Sequence, residues 1–350
     1  MNPAFEGYAC TVCDEATDAP ARCPACGGPL DAQYGGTTVD RETVAGRRFE
    51  SMWRYRERLP LVPEATAGEG ATPLVECPAL ADELGVGAVH VKDEGQNPTG
   101  SVADRDAALA VAGAAARGAE TVTLASTGDD GQAVAAAAAR AGLDARVVVP
   151  SRAGFTQKAM VNVHGGEMRV VEGRLPDAEA AHEAGDAHCV GAGETPLRHE
   201  ARKTVAYELL EQRGWTAPDA VVVPAGHGLS LVGLHKGFVE ARESGWVEAV
   251  PRLYAAQAEG CAPIVRGVRE GDLAAWERPD TICGEIEVPD PAAGERAVEA
   301  VGASGGGAVA TDDDAVLEAG VALAGQGIEA GASAAAAASG AWALADCGAF

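Results

Sequence analysis

From residue 61 onward, short apolar runs rich in β-branched residues alternate with longer, alanine-rich stretches, and glycine-containing turns separate the two. The short runs predict strands at 121–125, 146–150, 168–172, 220–224 and 253–257, whereas the longer stretches predict helices at 131–141, from 231 to about 243, and at 332–338. Such alternation is typical of parallel sheets that are covered by helices. The glycine-rich segment 302–314 is interpreted as a turn that precedes a helix. We therefore predict an α/β fold.

The first 60 residues follow a different pattern. Cys10 and Cys13 form one Cys-x-x-Cys pair, Cys23 and Cys26 form a second, and nine residues separate the pairs. Two such knuckles bring four thiolates to one tetrahedral metal ion, so residues 1–35 predict a zinc ribbon, with iron or a redox pair as alternatives. Because cysteine fills all four positions, we expect a structural metal. Residues 36–60 are interpreted as a charged, partly helical connector anchored by Trp53 and Tyr55.

The composition adds a strong acidic bias. The 350 residues include 52 acidic and 27 basic side chains, and the net charge is −25. This surplus predicts a protein of high-salt cytoplasm, with an ordinary acidic enzyme as the alternative. Nucleic acid and membrane are not expected partners, because there is no cluster of Lys and Arg and no apolar run near 20 residues. His182, His188 and His199 match no metal-ligand spacing and are interpreted as loop or surface residues.

Four ordered stretches carry a family resemblance: GEGATPL at 68–74, VKDEGQNPTGSVADR at 91–105, ASTGDDGQA at 125–133 and VVPAGHGLSLVGLHKGF at 222–238. Together they resemble threonine synthase and its fold-type-II pyridoxal-phosphate relatives. The resemblance implies two parallel-sheet domains of the tryptophan synthase β-like architecture, preceded by the ribbon. The large domain would comprise 61–100 and 191–350, and the small domain 101–190.

The resemblance also implies which residues would bind the cofactor, pyridoxal phosphate. They lie in the active-site stretch, in the turn after the strand at 121–125, in the glycine-rich phosphate loop, and in the last helix, where a serine would face the pyridine nitrogen. These residues are Asn97, Ser126, Thr127, Gly128, Asp129, Gly226, His227, Gly228, Leu229, Ser230 and Ser333.

This chain departs from the family pattern at three places. Ala103 stands where the family carries the lysine that binds the cofactor aldehyde as an imine and then moves protons. Asp129 replaces an asparagine that donates a hydrogen bond to the cofactor, and an ionised carboxylate can only accept one. His227 and Leu229 replace small residues of the phosphate loop, where a left-handed backbone would cost a residue with a Cβ about 1–2 kcal/mol.

Three functions follow from these observations. The chain is a non-catalytic relative that acts as a partner subunit, a regulator or a binder of a small anionic ligand, with an active paralogue or a second copy of itself as partner; any pyridoxal phosphate would then be held non-covalently. The second hypothesis is an active enzyme with an unusual site. It would either hold pyridoxal phosphate non-covalently, as a lyase that converts O-phosphohomoserine and water to threonine and phosphate, or run a different reaction with Asp129 and His227 as acid and base. Thirdly, it is an adaptor that acts through its ribbon. Arg105 either binds a substrate anion or forms a structural salt bridge.

Overall fold

The computed structural model describes residues 2–35 and 39–350; residue 1 and residues 36–38, where the predicted ribbon and connector begin, lie outside the described residues. The strands are β1 Phe5–Cys10, β2 Ala16–Thr17, β3 Leu30–Tyr34, β4 Leu74–Glu76, β5 His90–Lys92, β6 Thr121–Ala125, β7 Asp144–Pro150, β8 Glu167–Val171, β9 His188–Cys189, β10 Ala220–Pro224, β11 Arg252–Ala258 and β12 Gly307–Thr311. The α-helices are α1 Arg41–Ala45, α2 Pro78–Leu84, α3 Ala103–Ala115, α4 Asp129–Ala141, α5 Phe155–Val163, α6 Leu175–Ala181, α7 Leu197–Gln212, α8 Leu229–Glu243, α9 Pro263–Glu270, α10 Gly294–Ala303, α11 Asp313–Gly325 and α12 Ala332–Asp346.

The chain divides into two compact units. Unit 1 comprises residues 1–71 and 96–208. It contains the antiparallel sheet β2-β1-β3 and the parallel sheet β8-β7-β6-β9. Tyr8 and Leu30 of the ribbon belong to the same buried cluster as Leu109 of α3 and Leu124 of β6. The ribbon is therefore part of the core of unit 1 and not a separate lobe.

Unit 2 comprises residues 72–95 and 209–350. It contains the parallel sheet β10-β11-β12 and the antiparallel pair β4-β5. Helix α12 packs on this parallel sheet, where a Cβ on Gly340 would lie 2.9 Å from the side chains of Ala256 and Val309. The alanine-rich composition of α12 thus permits a close approach of helix and strands.

The predicted α/β fold is confirmed. Strands β6 and β10 have the predicted bounds, because their β-branched runs suit a buried, pleated surface. The interpretation of 302–314 as a turn was wrong in part: Gly307–Thr311 form strand β12, which pairs in parallel with β11. The prediction that a helix follows this segment was right, because the Asp312 carboxylate accepts from Ala315 N at 2.8 Å and caps α11. The division into ribbon, connector, large and small domains stays a prediction.

Within the described residues, the longest apolar helices fall short of what a bilayer crossing requires.

Candidate functional site

Residue 103 is the first residue of α3, and its side chain is a buried methyl group, 1% exposed. Its backbone N–H donates to the Ser101 hydroxyl oxygen at 3.1 Å. An alanine side chain offers neither a nucleophile nor an acid or base. The helix start that the resemblance assigns to the cofactor's lysine therefore supplies no amine in unit 1.

The four lysines of the chain are all engaged elsewhere. Each amine lies against an oxygen: Lys92 Nζ against Thr72 O at 2.7 Å, Lys158 Nζ against Ser151 O at 2.7 Å, Lys203 Nζ against a Glu200 carboxylate oxygen at 2.7 Å, and Lys236 Nζ against a Glu240 carboxylate oxygen at 4.0 Å. Lys203 is fully buried and also lies 4.2 Å from the centre of the Tyr34 ring. An imine on Lys203 would require breaking a buried ion pair.

Hydrogen bonds to a serine side chain hold the backbone of the turn between β6 and α4. The Ser126 hydroxyl accepts from Gly128 N at 2.9 Å and from Gly131 N at 2.8 Å, which fixes the turn. Asp129 begins α4, and its Oδ2 accepts from the Ser101 hydroxyl at 2.8 Å. A carboxylate in the first turn of a helix is favourable for the helix dipole. The Ser101 hydroxyl thus donates a hydrogen bond to Asp129 and accepts one from Ala103 N.

Asp130, next to Asp129, is matched by a buried arginine. Arg198 of α7 contacts both Asp130 and, at 3.3 Å, Asp106 of α3. Arg202 also reaches Asp106, at 3.0 Å. Burial opposes the charge of Arg198, but the carboxylates of Asp106 and Asp130 raise its pKa. Arg198 therefore compensates part of the negative charge of this turn, through its contact with Asp130.

The stretch on either side of residue 103 is held by buried polar contacts. The Asn97 side-chain oxygen accepts from Gly70 N at 2.9 Å. Arg105 forms a two-pronged salt bridge with Glu208, at 2.6 and 2.8 Å, and both side chains are fully buried. Of the two predictions for Arg105, the structural salt bridge is the one observed. Burial raises the pKa of Asp104 to about 6, against the opposing effect of hydrogen bonds from Thr99.

In unit 2 the glycine-rich loop runs from Gly226 into α8. The positive φ of the loop, +87°, falls on Gly228, and α8 begins at Leu229. The predicted backbone strain at His227 and Leu229 was therefore wrong, because neither residue adopts the left-handed conformation. Leu229 turns its side chain into the core, 5% exposed. Ser230 is the second helical residue and does not cap the helix, whose N-cap, Gly228, has no side chain.

Close packing explains why two glycines remain in this loop. A Cβ on Gly228 would lie 2.8 Å from Ala297 Cβ, and one on Gly226 would lie 3.3 Å from the Glu285 carbonyl oxygen. The His227 carbonyl accepts from Ala293 N at 3.0 Å. The N-cap of α8, Gly228, has no side chain with which to cap the helix. A glycine at the start of a helix lets an anion such as phosphate approach the backbone closely.

Ser333, predicted to face the pyridine nitrogen, is hydrogen-bonded to Glu285, a residue that the sequence analysis missed. The Ser333 hydroxyl donates to a Glu285 carboxylate oxygen, and Glu285 N donates to the Ser333 oxygen at 3.2 Å. The segment CGEIEVP at 283–289 is mostly buried yet contains two glutamates. Acidic residues in a buried run were the signal that could have identified Glu285.

The four ribbon thiols converge. The Sγ–Sγ distances are 3.5 Å for Cys10–Cys26, 3.4 Å for Cys13–Cys26 and 3.7 Å for Cys13–Cys23. Tetrahedral zinc with bonds of about 2.3 Å would separate the sulfurs by about 3.8 Å. Backbone N–H groups of Val12 and Gly28 point at Cys10 and Cys26 Sγ, both at 3.4 Å. The cluster fits a metal ion, and the identity of that ion remains a prediction.

The ribbon joins α7 through two polar contacts. Asp31 of β3 lies 2.7 Å from His199 Nε2, and the Tyr34 hydroxyl donates to Glu200 at 2.7 Å. His199 is 3% exposed and lies on a helix, so its interpretation as a loop or surface residue was wrong. His182 and His188 are half-buried. Because Arg198 lies on the same turn of α7, the ribbon and the acidic turn share one supporting helix.

Taken unit by unit, these residues fit part of what pyridoxal phosphate requires. In unit 2 the loop 226–230 offers glycines for a phosphate, and Ser333 offers a polar group for a ring nitrogen. In unit 1 position 103 has no amine. The residues present fit binding of the phosphate and ring, and residue 103 itself offers no group for a covalent bond.

Comparison with known proteins supports the predicted fold and family resemblance. The family model described as pyridoxal-phosphate dependent enzyme matches residues 65–350. The threonine synthase of Methanocaldococcus jannaschii is 33% identical over 306 residues, which cover 84% of this chain and 76% of that protein.

Solved structures give the same architecture. A fungal L-serine ammonia-lyase from Rhizomucor miehei superposes with a TM-score of 0.70 at 24% identity, over 80% of this chain and 87% of that one. A lysine-to-alanine mutant of O-ureido-L-serine synthase, with O-ureido-L-serine bound, has a TM-score of 0.64 at 26% identity, over 79% of this chain and 83% of that one. The predicted family resemblance and fold class are confirmed.

Proposed function

The chain belongs to the pyridoxal-phosphate dependent enzyme family and is threonine synthase-like; from that premise we propose that it is a non-catalytic member, which binds a small anionic ligand and acts as a partner or regulatory subunit. The observation that carries the proposal is Ala103, a buried methyl group at the first residue of α3. It stands where the resemblance assigns the lysine.

The chemistry of pyridoxal phosphate explains why the proposal depends on a single residue. Bound pyridoxal phosphate acts as an electron sink for carbanions, and the lysine both attaches the group and moves the substrate protons. An alanine removes both roles together. Each of the four lysines of the chain lies against an oxygen atom, so a substitute amine would have to give up an existing contact.

Close contacts within each unit support the part of the proposal that concerns ligand binding. The turn at 126–131, the Arg105–Glu208 pair and the loop at 226–230 are each held by close contacts. A structural relative with a lysine-to-alanine mutation has an amino-acid ligand bound, which supports binding without that lysine. A partner would be an active paralogue or a second copy of this chain.

An active enzyme is the second candidate, because the curated relatives, 32–36% identical, are threonine synthases. That activity, conversion of O-phosphohomoserine and water to threonine and phosphate, would require an amine from elsewhere, or a non-covalent cofactor. The adaptor hypothesis has less support, because ribbon residues are part of the core of unit 1.

The test restores the amine. Purified protein is titrated with pyridoxal phosphate, and the visible spectrum is recorded before and after borohydride. Ala103→Lys combined with Asp129→Asn is expected to gain a visible absorption band that borohydride abolishes while the cofactor becomes permanently attached to the chain, because both family groups return. Ala103→Met combined with Asp129→Asn is the matched control, since methionine is long but has no amine. A reducible band in the parent protein would contradict the proposal.

A further inference from the structure

A cleft of about 720 Å³ lies in unit 2, where the strands β4 and β5 meet the end of α7. Its lining residues are Leu74, Glu76, His90, Gln212, Arg213 and Thr216. Small-molecule sites in proteins measure about 300–1,000 Å³, so the cleft is large enough for a metabolite. Leu74 is apolar, and the other lining side chains are charged or polar. The cleft therefore suits a small polar ligand better than an apolar one.

The alternation of side chains along β4 and β5 places polar groups on the open face of this strand pair. Glu76 lies opposite His90 in the antiparallel register, whereas Val75 and Val91 pack against a hydrophobic cluster of unit 2. Successive side chains of a strand point to opposite faces of the sheet. Glu76 and His90 therefore share the face that turns away from this hydrophobic cluster.

Hydrogen bonds hold the end of α7 over this face. Lys92 Nζ donates to the Gln212 side-chain oxygen at 2.9 Å, and Gln212 Nε2 donates to Thr72 O at 2.8 Å. Arg213, the next residue along the chain, has its Nη1 atom 3.1 Å from His90 Nδ1. Because an arginine side chain can only donate, His90 Nδ1 accepts this bond. His90 thus fixes the guanidinium of Arg213 at the wall of the cleft.

The Arg213 guanidinium keeps donors for a further acceptor. Within the described residues, its one side-chain hydrogen bond is that to His90, and its Nε atom is buried without an acceptor. A buried donor that lacks an acceptor lowers the stability of the protein, so an incoming acceptor is favoured there. A carboxylate accepts from two nitrogens of one guanidinium at once. Arg213 therefore presents the donor arrangement that a ligand carboxylate requires.

Glu76 brings the opposite charge to the same cleft. It is the cross-strand neighbour of His90, and such neighbours have their Cβ atoms about 5 Å apart. Arg213 reaches the same histidine from the end of α7. The cation and the anion thus flank one residue, yet they form no ion pair with each other in the part of the chain that the structure describes. A small molecule that carries both charges would pair with both side chains.

We propose that this cleft binds a small α-amino acid as its zwitterion, with the carboxylate on Arg213 and the ammonium group on Glu76. Gln212 Nε2 has a second N–H, and Thr216 has a hydroxyl, so a short polar side chain finds partners beside the two charges. This inference does not rest on the proposed function, because it uses neither the glycine-rich loop nor residue 103.

The experiment titrates the full-length protein with L-serine, which carries both charges near neutral pH and has a short polar side chain. Amide chemical shifts in the NMR spectrum give the affinity and locate the site. N-acetyl-L-serine lacks the ammonium group, and L-serine methyl ester lacks the carboxylate. Both are expected to bind more weakly than L-serine, the ester by about tenfold or more, because it cannot form the charge-assisted hydrogen bonds with Arg213.

Two substitutions test the assigned partners. Arg213→Gln is expected to weaken L-serine binding by about tenfold or more. Glu76→Gln is expected to weaken it by about twofold to fivefold, since Glu76 is exposed and exposed ion pairs are weak. Arg242→Gln in α8 and Glu83→Gln in α2, the same changes at exposed positions outside the lining, are the matched controls and should leave the affinity unchanged.

Shifts confined to β4, β5 and the end of α7, together with this order of affinities, would support the proposal. Absence of L-serine binding, shifts located elsewhere, or unchanged affinity in Arg213→Gln would each overturn it. Equally tight binding of N-acetyl-L-serine would show a simple anion site and would also overturn it. If Arg213→Gln fails to fold, the three ligands compared on the parent protein decide. Pyridoxal phosphate takes no part in these titrations, so their outcome is independent of whether the chain is catalytically active.

Discussion

Ser101 connects residues 103 and 129, the two positions of unit 1 at which the sequence analysis predicts a departure from the family pattern. Its hydroxyl donates to Asp129 and its oxygen accepts from Ala103 N. Asp130 is likewise matched, by Arg198. Residues 103 and 129 are therefore joined in one set of local contacts. Under the proposed function, this set would keep the local fold of a site that lacks the nucleophile.

The sequence could identify which residue types stand at these positions, but not their partners. The four ribbon cysteines were identified from their spacing, and Ala103 was singled out by the family resemblance. Ser101 and Asp129 are 28 residues apart, and Ser333 and Glu285 are 48 apart. Hydrogen bonds over such separations depend on the packing of several elements, which a local pattern does not encode.

The buried Arg105–Glu208 pair gives a prediction for stability. Glu208→Gln removes the charge of Glu208 and leaves that of Arg105 without its compensating charge, so we expect a loss of about 3–5 kcal/mol in the free energy of unfolding. The measurement is urea unfolding in high salt. Glu318→Gln, the same change at an exposed residue of α11, should have almost no effect. A loss below about 1 kcal/mol for Glu208→Gln, the range of an exposed pair, would contradict the burial described for this pair.

Asp104 gives a prediction for pH dependence. Its pKa is raised in the folded protein from 3.8 to about 6, chiefly by burial, so the folded state holds its proton more tightly than the unfolded state. The resulting stabilisation is complete below about pH 4 and is lost as the pH rises through about 6, a difference on the order of 2–3 kcal/mol. Asp104→Asn should flatten this part of the stability curve.

The curve is obtained from urea unfolding at several pH values between 4 and 7. Asp82→Asn, at an exposed position of α2, is the control and should follow the parent protein. Parallel curves for the parent protein and Asp104→Asn would show that Asp104 ionises normally in the folded state.

At the scale of elements, strands with a strong β-branched pattern were predictable and weakly patterned ones were not. Thr121–Ala125 and Ala220–Pro224 were found at the predicted bounds. The strand Gly307–Thr311 was missed, because its glycine and two alanines have low β-propensity. It forms because β11 offers a parallel edge and Val309 is buried against α12. Tertiary packing, not local preference, determines that strand.

The ribbon gives a prediction for metal removal. We expect one metal ion per chain, bound by the four convergent thiols, and Cys13→Ser or a chelator should remove it. Because Asp31 and Tyr34 contact His199 and Glu200, amide hydrogens of β1–β3 and of the first turns of α7 should then exchange faster. Cys347→Ser, at an exposed cysteine outside the cluster, is the control.

Metal content by mass spectrometry and hydrogen exchange together test this prediction. A metal-free parent protein, or unchanged exchange in α7 after metal loss, would contradict it.

At the scale of the whole molecule, the net charge of −25 is the dominant feature. Repulsion between carboxylates opposes the compact state, and salt screens it: the Debye length falls from about 10 Å at 0.1 M to about 3 Å at 1 M. We therefore expect the melting temperature to rise from 0.1 to 1 M KCl. Sorbitol at matched osmolality is the control for non-ionic effects. An unchanged or falling melting temperature would count against adaptation to high salt.

Fold and family could be predicted at this scale because four motifs occur in order, two of them beside predicted strands and helices, at 125–133 and 222–238. The boundaries of the two units were harder to predict from the sequence. Unit 1 combines the ribbon and the other residues up to 71 with a second segment that ends within α7. Those boundaries depend on buried polar contacts such as Arg105–Glu208, which no composition shift marks.

The proposal that no lysine binds the cofactor covalently is tested most directly by chemical trapping on the natural protein. The chain is saturated with pyridoxal phosphate in high salt, reduced with borohydride, digested and analysed by peptide mass spectrometry. We predict that Lys92, Lys158, Lys203 and Lys236 carry no more pyridoxyl group than in an unfolded control. A stoichiometric pyridoxyl adduct on any one of them, formed only in the folded protein, would contradict the account.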